Sequence, residues 1–383
     1  MPLDRSPCLI RGDRALSMRV AIALTGLHRV NRGAEVAFEA LARALAADSR
    51  DRVTLIGSGR PTPEDPYSFV RAASIDRGHF ERWPKFPPLR SEMTYEELSW
   101  VPGVLRHYRP SDFDISLTCS YPFTNWLLRA RRSKGRPAHV FVTENGDWAP
   151  KTNSSEFRLF GCDGLVCTNP EYMERNKDHW MSALIPNGVD GTRFFPAARD
   201  RAYFGLPESA PIVLMVSALN PNKRVLDGIR VVAGLPEAWL VVAGDGSQRK
   251  EVDELAAELL PNRFRRLNLE SGEMPGLYRC ADAFLHMTYF ESFGNVYIEA
   301  MACGIPVVAH RSSVTDWIIG ANGILVDTDD LPATRTSLED VLAGRFTVGA
   351  RETATMTERF DWQTIAREYR AFFTDVLEKR LGA

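Results

Sequence analysis

The sequence predicts an α/β protein built from two doubly wound, Rossmann-like domains that face each other across a cleft. Its 383 residues amount to roughly two domain lengths at about 150 to 200 residues each. From Met18 onward, short apolar runs alternate with stretches of helical spacing, the mark of parallel sheets made of strand-helix-strand units. Asn187-Gly188 and then Pro196 interrupt the alternation, and a second series begins at Ile212. The composition, 44% hydrophobic and 25% charged, excludes disorder as the main state. No apolar run approaches the roughly 18 to 20 residues of a membrane span. A net charge of −2 is too balanced for a dedicated nucleic-acid binder.

Residues 1–17 contain Asp4, Arg5, Arg11, Asp13 and Arg14 and no continuous apolar core, so they read as a loose tail and not as a signal peptide. In the first domain, 18–190, strands are expected at 20–24, 53–56, 115–117, 140–143 and 165–167. Helices are expected at 34–46, where apolar positions 36, 38, 41, 42 and 45 share a face, and at 94–107, 122–133 and 170–180. The Pro- and aromatic-rich stretch 60–92 reads as an ordered excursion over the surface, and loops of that length tend to bind something. The second domain, 191–360, is expected to run strand 212–216, helix 223–233, strand 240–243, helix 249–259, strand 266–268, helix 274–281, strand 283–287, helix 294–302 and strands 306–309 and 324–326. The segment 361–383 carries a last helix with Ile365, Tyr369, Phe372, Phe373 and Val376 on one face, which must pack on something and is expected to return across the cleft.

The sharpest feature is the block from Glu291 to Val308, in which strand 283–287 runs through Glu291-Ser292-Phe293-Gly294 into a helix. The unpaired N–H groups of Gly294, Asn295 and Val296 then face the cleft beyond the strand ends, where a helix start holds an anion. Glu291 lies in the turn before the helix and Glu299 about five residues inside it, ~7.5 Å along the axis. A diphosphate at the helix start thus leaves one carboxylate near each flanking sugar, and a carboxylate accepts two hydrogen bonds side by side from a diol.

On these residues the sequence resembles the retaining glycosyltransferases of family 4, with the GT-B architecture, over most of 18–380. Gly33-Ala34-Glu35 is similar to the family's Gly-Gly-Ala-Glu loop, with Arg32 where the first Gly usually stands. Pro186-Asn187-Gly188-Val189-Asp190, Arg193-Phe194-Phe195-Pro196, Val242-Ala243-Gly244-Asp245-Gly246, Tyr278 to Ala283 and Phe360-Asp361-Trp362 resemble further family segments. The resemblance implies a nucleotide-diphosphate sugar as donor substrate, no metal or other cofactor, and a hydroxyl acceptor on a glycan, a lipid-linked saccharide or a small molecule. It implies Glu291 on the sugar hydroxyls, Glu299 on the ribose, and Gly33, Lys223 and the amides of Gly294, Asn295 and Val296 on the diphosphate. It also implies retention, through a covalent intermediate or through attack from the leaving-group face.

Two positions depart from the family. Ala218 stands where an arginine usually contacts the diphosphate five residues before Lys223; a lost charge-assisted hydrogen bond is worth ~1.5–3 kcal/mol. Arg224, in place of the family's Gly beside the lysine, is either its substitute or a solvated side chain at a helix start. After strand 140–143, where relatives carry a His, this chain has Glu144-Asn145-Gly146-Asp147-Trp148. Glu144 either binds hydroxyls or helps deprotonate the acceptor, or it is a strand-end acid before an Asn-Gly turn.

Other chemistries lack a motif. There is no Gly-x-Ser-x-Gly, His-Glu-x-x-His or Walker loop, and Asp327-Thr328-Asp329 follows a strand late in the second domain and reads as a turn. Six cysteines without a Cys-x-x-Cys pair read as reduced thiols, hence a cytoplasmic address. Phe123, Trp126 and Leu127 lead into Arg129, Arg131, Arg132, Lys134 and Arg136, so 121–136 is either a face for anionic lipid on the inner side of the plasma membrane or a core-facing helix with a basic end. Two rival functions stay open: a degenerate homologue serving as a partner subunit, and a nucleotide-sugar epimerase on the same frame.

Overall fold

The computed structural model describes residues 17–47, 50–129 and 135–382. Seven strands form the first sheet: β1 (Arg19–Ala23), β2 (Arg52–Gly57), β3 (Ser68–Arg71), β4 (Ile115–Thr118), β5 (Ala138–Val142), β6 (Gly164–Cys167) and β7 (Ser182–Leu184). Six form the second: β8 (Ile212–Val216), β9 (Trp239–Ala243), β10 (Phe264–Leu267), β11 (Ala283–His286), β12 (Val307–His310) and β13 (Gly323–Val326). The orders are β3-β2-β1-β4-β5-β6-β7 and β10-β9-β8-β11-β12-β13, with every pairing parallel. Each sheet reverses its winding beside its first strand, and the crevices beyond β1/β4 and β8/β11 open toward each other.

Helices cover both faces. In the first domain they are α1 (Gly33–Ala46), α2 (Glu92–His107), α3 (Phe123–Arg129), the single turn α4 (Trp148–Lys151) and α5 (Pro170–Asn176). In the second they are α6 (Val225–Ala233), α7 (Arg249–Leu259), α8 (Met274–Arg279), α9 (Asn295–Ala302), α10 (Ser313–Ile319), α11 (Leu331–Leu342) and α12 (Ala350–Arg359); α13 (Trp362–Leu381) follows. The faces of α1 and α13 explain their packing. Phe38, Leu41 and Leu45 of α1 and Ile365, Tyr369, Phe372, Phe373 and Val376 of α13 close one core with β1, β4 and β5. The last helix therefore completes the first domain, although it follows the second in the chain. Where the chain crosses between domains the two passes lie side by side, with Val189 N–H donating to Phe360 O at 2.7 Å. Gly188 is needed there, because a Cβ would come within 2.6 Å of the Trp362 ring.

Several elements differ from expectation. The excursion 60–92 contains β3, which extends the sheet edge through Thr54↔Ser68 to Gly57↔Arg71, and β7 was unforeseen; both are too short to show a period. The expected helix 223–233 breaks at Arg224, which is left-handed (φ 53°, ψ 38°) between a 3-10 turn and α6. The end of the expected helix 122–133, with Arg131, Arg132 and Lys134, and the tail through residue 16 lie outside the described residues.

Candidate active site

The turn from β11 into α9 forms the floor of the cleft. Gly294 caps α9 with φ 86°, and a Cβ there would stand 2.5 Å from the Tyr297 ring, so only glycine fits. Gly294, Asn295 and Val296 line a cavity of about 470 Å3 whose other wall holds Gly33 at the start of α1. The two helix starts are close: a Cβ on Gly33 would lie 3.9 Å from Asn295 Nδ2. Lys223, Glu291 and Glu144 line the same cavity.

Glu291 Oε1 accepts from His286 Nε2 at 2.9 Å and pairs with Lys223 Nζ. Burial pushes this carboxyl up, but the hydrogen bond and charge of His286, together with Lys223, outweigh it and hold the group at about 2. Glu291 thus stays ionised through the physiological range. His286 is buried at the end of β11, and its Nδ1 has no partner.

Glu144, just beyond β5, is the opposite case. Its Oε2 accepts from Asn187 Nδ2 at 3.0 Å, while its Oε1 is buried without a partner. Burial raises it to about 7, and the Asn187 bond offsets only part of that. Asn187 Nδ2 also donates to Asn295 Oδ1 at 2.9 Å, so one amide in the crossing segment connects the candidate base to the start of α9. The domains are further joined at Ser292, whose carbonyl accepts from Asn169 Nδ2 at 2.6 Å and whose Oγ accepts from Tyr172 OH at 3.2 Å.

The rest of the first-domain wall includes Glu35, Glu96, Glu97, Arg32 and Arg77. Burial raises all three carboxyls, Glu97 to about 7 with only partial relief from its bonds at Thr124 and Phe123. Arg29, Arg32 and Arg77 gather around Glu96.

Two expected residues lie elsewhere. Arg224 does not line the cavity, where the substitute-cation reading needs it, and with its side chain 11% exposed it is not the solvated side chain of the other reading either. Its Nε meets Asp227 Oδ2 at 3.0 Å, its Nη1 meets Thr328 Oγ1 at 2.8 Å and Met287 O at 3.1 Å, and its Nη2 meets Asp329 Oδ1 at 3.0 Å. The guanidinium lies 4.1 Å over the Tyr289 ring. These bonds hold a left-handed backbone that a glycine adopts freely, and the same backbone directs the side chain away. Glu299 is not in the cavity wall either; its Oε2 accepts from Tyr278 OH at 2.7 Å. His286 and Asn187 were missed. A lone polar residue in the apolar run Ala283-Phe284-Leu285-His286-Met287, just before a glycine turn, was the available signal for His286.

Among the described residues no group of three or more His, Cys, Asp or Glu is placed to hold a metal, and no helix is long and apolar enough to cross a membrane. Asp327 and Asp329 form a turn, with Asp329 N–H on Asp327 Oδ1 at 3.0 Å. On α3, Trp126 packs edge-on against Tyr121 and Phe123 and is partly buried, and Arg129 Nη1 donates to Leu159 O at 2.7 Å. The aromatic side expected for lipid is largely used inside the domain.

Residues 197–359 match the family described as Glycosyl transferases group 1. Over 346 residues the chain is 28% identical to the lipopolysaccharide core biosynthesis glycosyltransferase LpsE of Rhizobium meliloti, covering 88% of this chain and 94% of that protein. It is 35% identical over 201 residues to the D-inositol 3-phosphate glycosyltransferase of Mycolicibacterium smegmatis, 49% of this chain and 46% of the other. Among solved structures it resembles sucrose-phosphate synthase from Thermosynechococcus elongatus (TM-score 0.75, 20% identity, 94% of this chain and 100% of that one). It also resembles Anabaena HepE solved with UDP and glucose (TM-score 0.71, 19% identity, 94% and 100%). The two-domain arrangement is the GT-B fold, and residues 197–359 carry the similarity to the glycosyl transferases group 1 family.

Proposed function

We propose that the protein transfers a sugar from a nucleotide-diphosphate sugar to a hydroxyl of a glycan or lipid-linked saccharide, with retention, without a metal, in the cytoplasm. The observation that carries this is the meeting of two helix starts, Lys223 and an ionised Glu291 in one cavity between two domains. The helix starts and Lys223 take the diphosphate and stabilise its charge as it leaves. Glu291, held in place by His286, accepts hydrogen bonds from the transferred sugar and fixes its orientation. The acceptor enters along the first-domain wall, where the unpartnered Oε1 of Glu144 takes or relays its proton. HepE, of similar fold, was solved with UDP and glucose, and LpsE is named for core lipopolysaccharide synthesis; both agree with this donor and acceptor class.

The test is thermal stabilisation by UDP, GDP, ADP and their sugar conjugates, since a ligand at 100 times its dissociation constant adds ~2.7 kcal/mol to stability. One nucleotide is expected to stabilise the wild type and to lose much of that effect in Glu299→Ala if Glu299 holds the ribose. No stabilisation by any of them, in a well-folded protein, contradicts the donor assignment and favours a partner subunit without catalysis.

A further inference from the structure

The floor of the cleft brings two helix starts together. The starts of α1 and α9 meet there, each with unpaired N–H groups and partial positive charge. At the N-cap of α1 stands Arg32, with extended backbone (φ −112°, ψ 161°) and no side-chain bond to the helix amides. An N-cap favours Ser, Thr, Asp or Asn, whose oxygens accept from those amides. Arginine offers no acceptor and adds charge of the same sign as the helix end. A residue that breaks a local rule on two counts belongs where function keeps it.

Arg32 is also the loosest of the neighbouring cations. Arg29 and Arg77 both donate hydrogen bonds to Glu96, Arg77 through Nε at 3.3 Å. Arg32 instead reaches Glu35 at 3.5 Å and Glu96 at 3.9 Å, with its side chain 34% exposed. Across the cavity Lys223 is already paired with Glu291, and Val216, Ser217 and Ala218 bring no charge to the wall. Ser217 Oγ is buried there without a partner, and Arg224 faces away.

We propose that Arg32 is the second cation of the diphosphate seat, reaching from the first domain to a nucleoside diphosphate held between α1 and α9 and replacing the charge that position 218 lacks. The assignment rests on the donor reading above. Arg32 gives up two long ion pairs on binding and gains charge-assisted hydrogen bonds to phosphate oxygens. With Lys223 on one domain and Arg32 on the other, the diphosphate draws the two walls together.

The experiment is calorimetric titration of UDP, GDP, ADP, UMP, GMP and AMP into the full chain as wild type, Arg32→Ser and Arg32→Ser/Ala218→Arg, with the melting temperature of each free protein. For the diphosphate that binds the wild type, Arg32→Ser is expected to weaken affinity roughly 10- to 150-fold, the worth of one charge-assisted hydrogen bond. The matching monophosphate is expected to change far less. Free Arg32→Ser should melt no lower than the wild type and about 1–3 °C higher if the serine caps α1. The double variant should recover at least about tenfold in diphosphate affinity. An Arg32→Ser protein that binds the diphosphate as tightly as the wild type overturns the proposal alone, as does an equal loss for mono- and diphosphate. A wild type that binds none of the six overturns the donor reading and this assignment together.

Discussion

The two walls of the cleft treat their carboxylates in opposite ways. On the second-domain wall Glu291 is compensated by His286 and Lys223 and is held at about 2. On the first-domain wall burial dominates: Glu97 and Glu144 rise to about 7, and Glu35 and Glu96 are raised as well. One wall therefore keeps a fixed charge through the physiological range. On the other wall Glu97 and Glu144 titrate near neutrality, the range a proton-accepting group needs. Between Glu291 and the pair Glu97 and Glu144 the contrast arises from partners: His286 and Lys223 stand beside Glu291, whereas hydrogen bonds alone offset the burial of the other two.

The sharpest way to break the fixed-charge wall is Glu291→Gln. It keeps the shape but removes the charge, and kcat is expected to fall about 100- to 1,000-fold. Nucleoside diphosphate binding should be retained or tightened, because Lys223 is released from its ion pair. Steady-state transfer and calorimetry on the same preparation separate the two effects; an unchanged kcat removes Glu291 from the chemistry.

Gly294→Ala tests the floor on which that wall stands. The left-handed backbone and the 2.5 Å approach to Tyr297 put the expected loss at about 2–3 kcal/mol in unfolding stability. Denaturant titration reads it, and a loss near zero means that the turn can relax without a glycine.

On the titrating wall, Glu97 links stability to pH. Its folded value, about 7, lies above that of an exposed carboxyl, so its contribution is fully present below about pH 4.5. That contribution is lost as pH rises through 7. Between pH 5 and 8 the wild type is expected to lose stability on the order of 1–2 kcal/mol through this group, and Glu97→Gln should flatten that part of the curve. Parallel curves for the two proteins would mean that Glu97 is ionised in the fold without penalty.

The same contrast explains what was readable in the sequence. Glu291, Gly294, Asn295 and Val296 lie within six residues, so local spacing carries their arrangement, and Lys223 and Gly33 came with short segments of their own. Most long strands and helices were readable from their period. On the first-domain wall Glu144 was marked by its place after strand 140–143, but its company with Glu35, Glu96 and Glu97 was not readable, because these converge only when α1, α2 and the end of β5 pack side by side. Arg224 misled for a conformational reason: its neighbour Lys223 faces the cavity, but a positive φ at 224 rotates the next side chain away. The face of α13 was legible as a pattern. Its place in the core of the first domain depended on partners no later in the chain than Ile185.

The pH dependence of kcat/KM for sugar transfer, in the wild type, Glu144→Gln and Glu97→Gln, tests the division of the cleft most directly. In the wild type the rate should rise with pH through an apparent pKa near 7, because Glu144 must lose its proton to accept one. That limb should vanish, at a lower plateau, in Glu144→Gln and persist in Glu97→Gln. A limb that stays at the same pH in Glu144→Gln contradicts the assignment of the first-domain wall as the proton-accepting side.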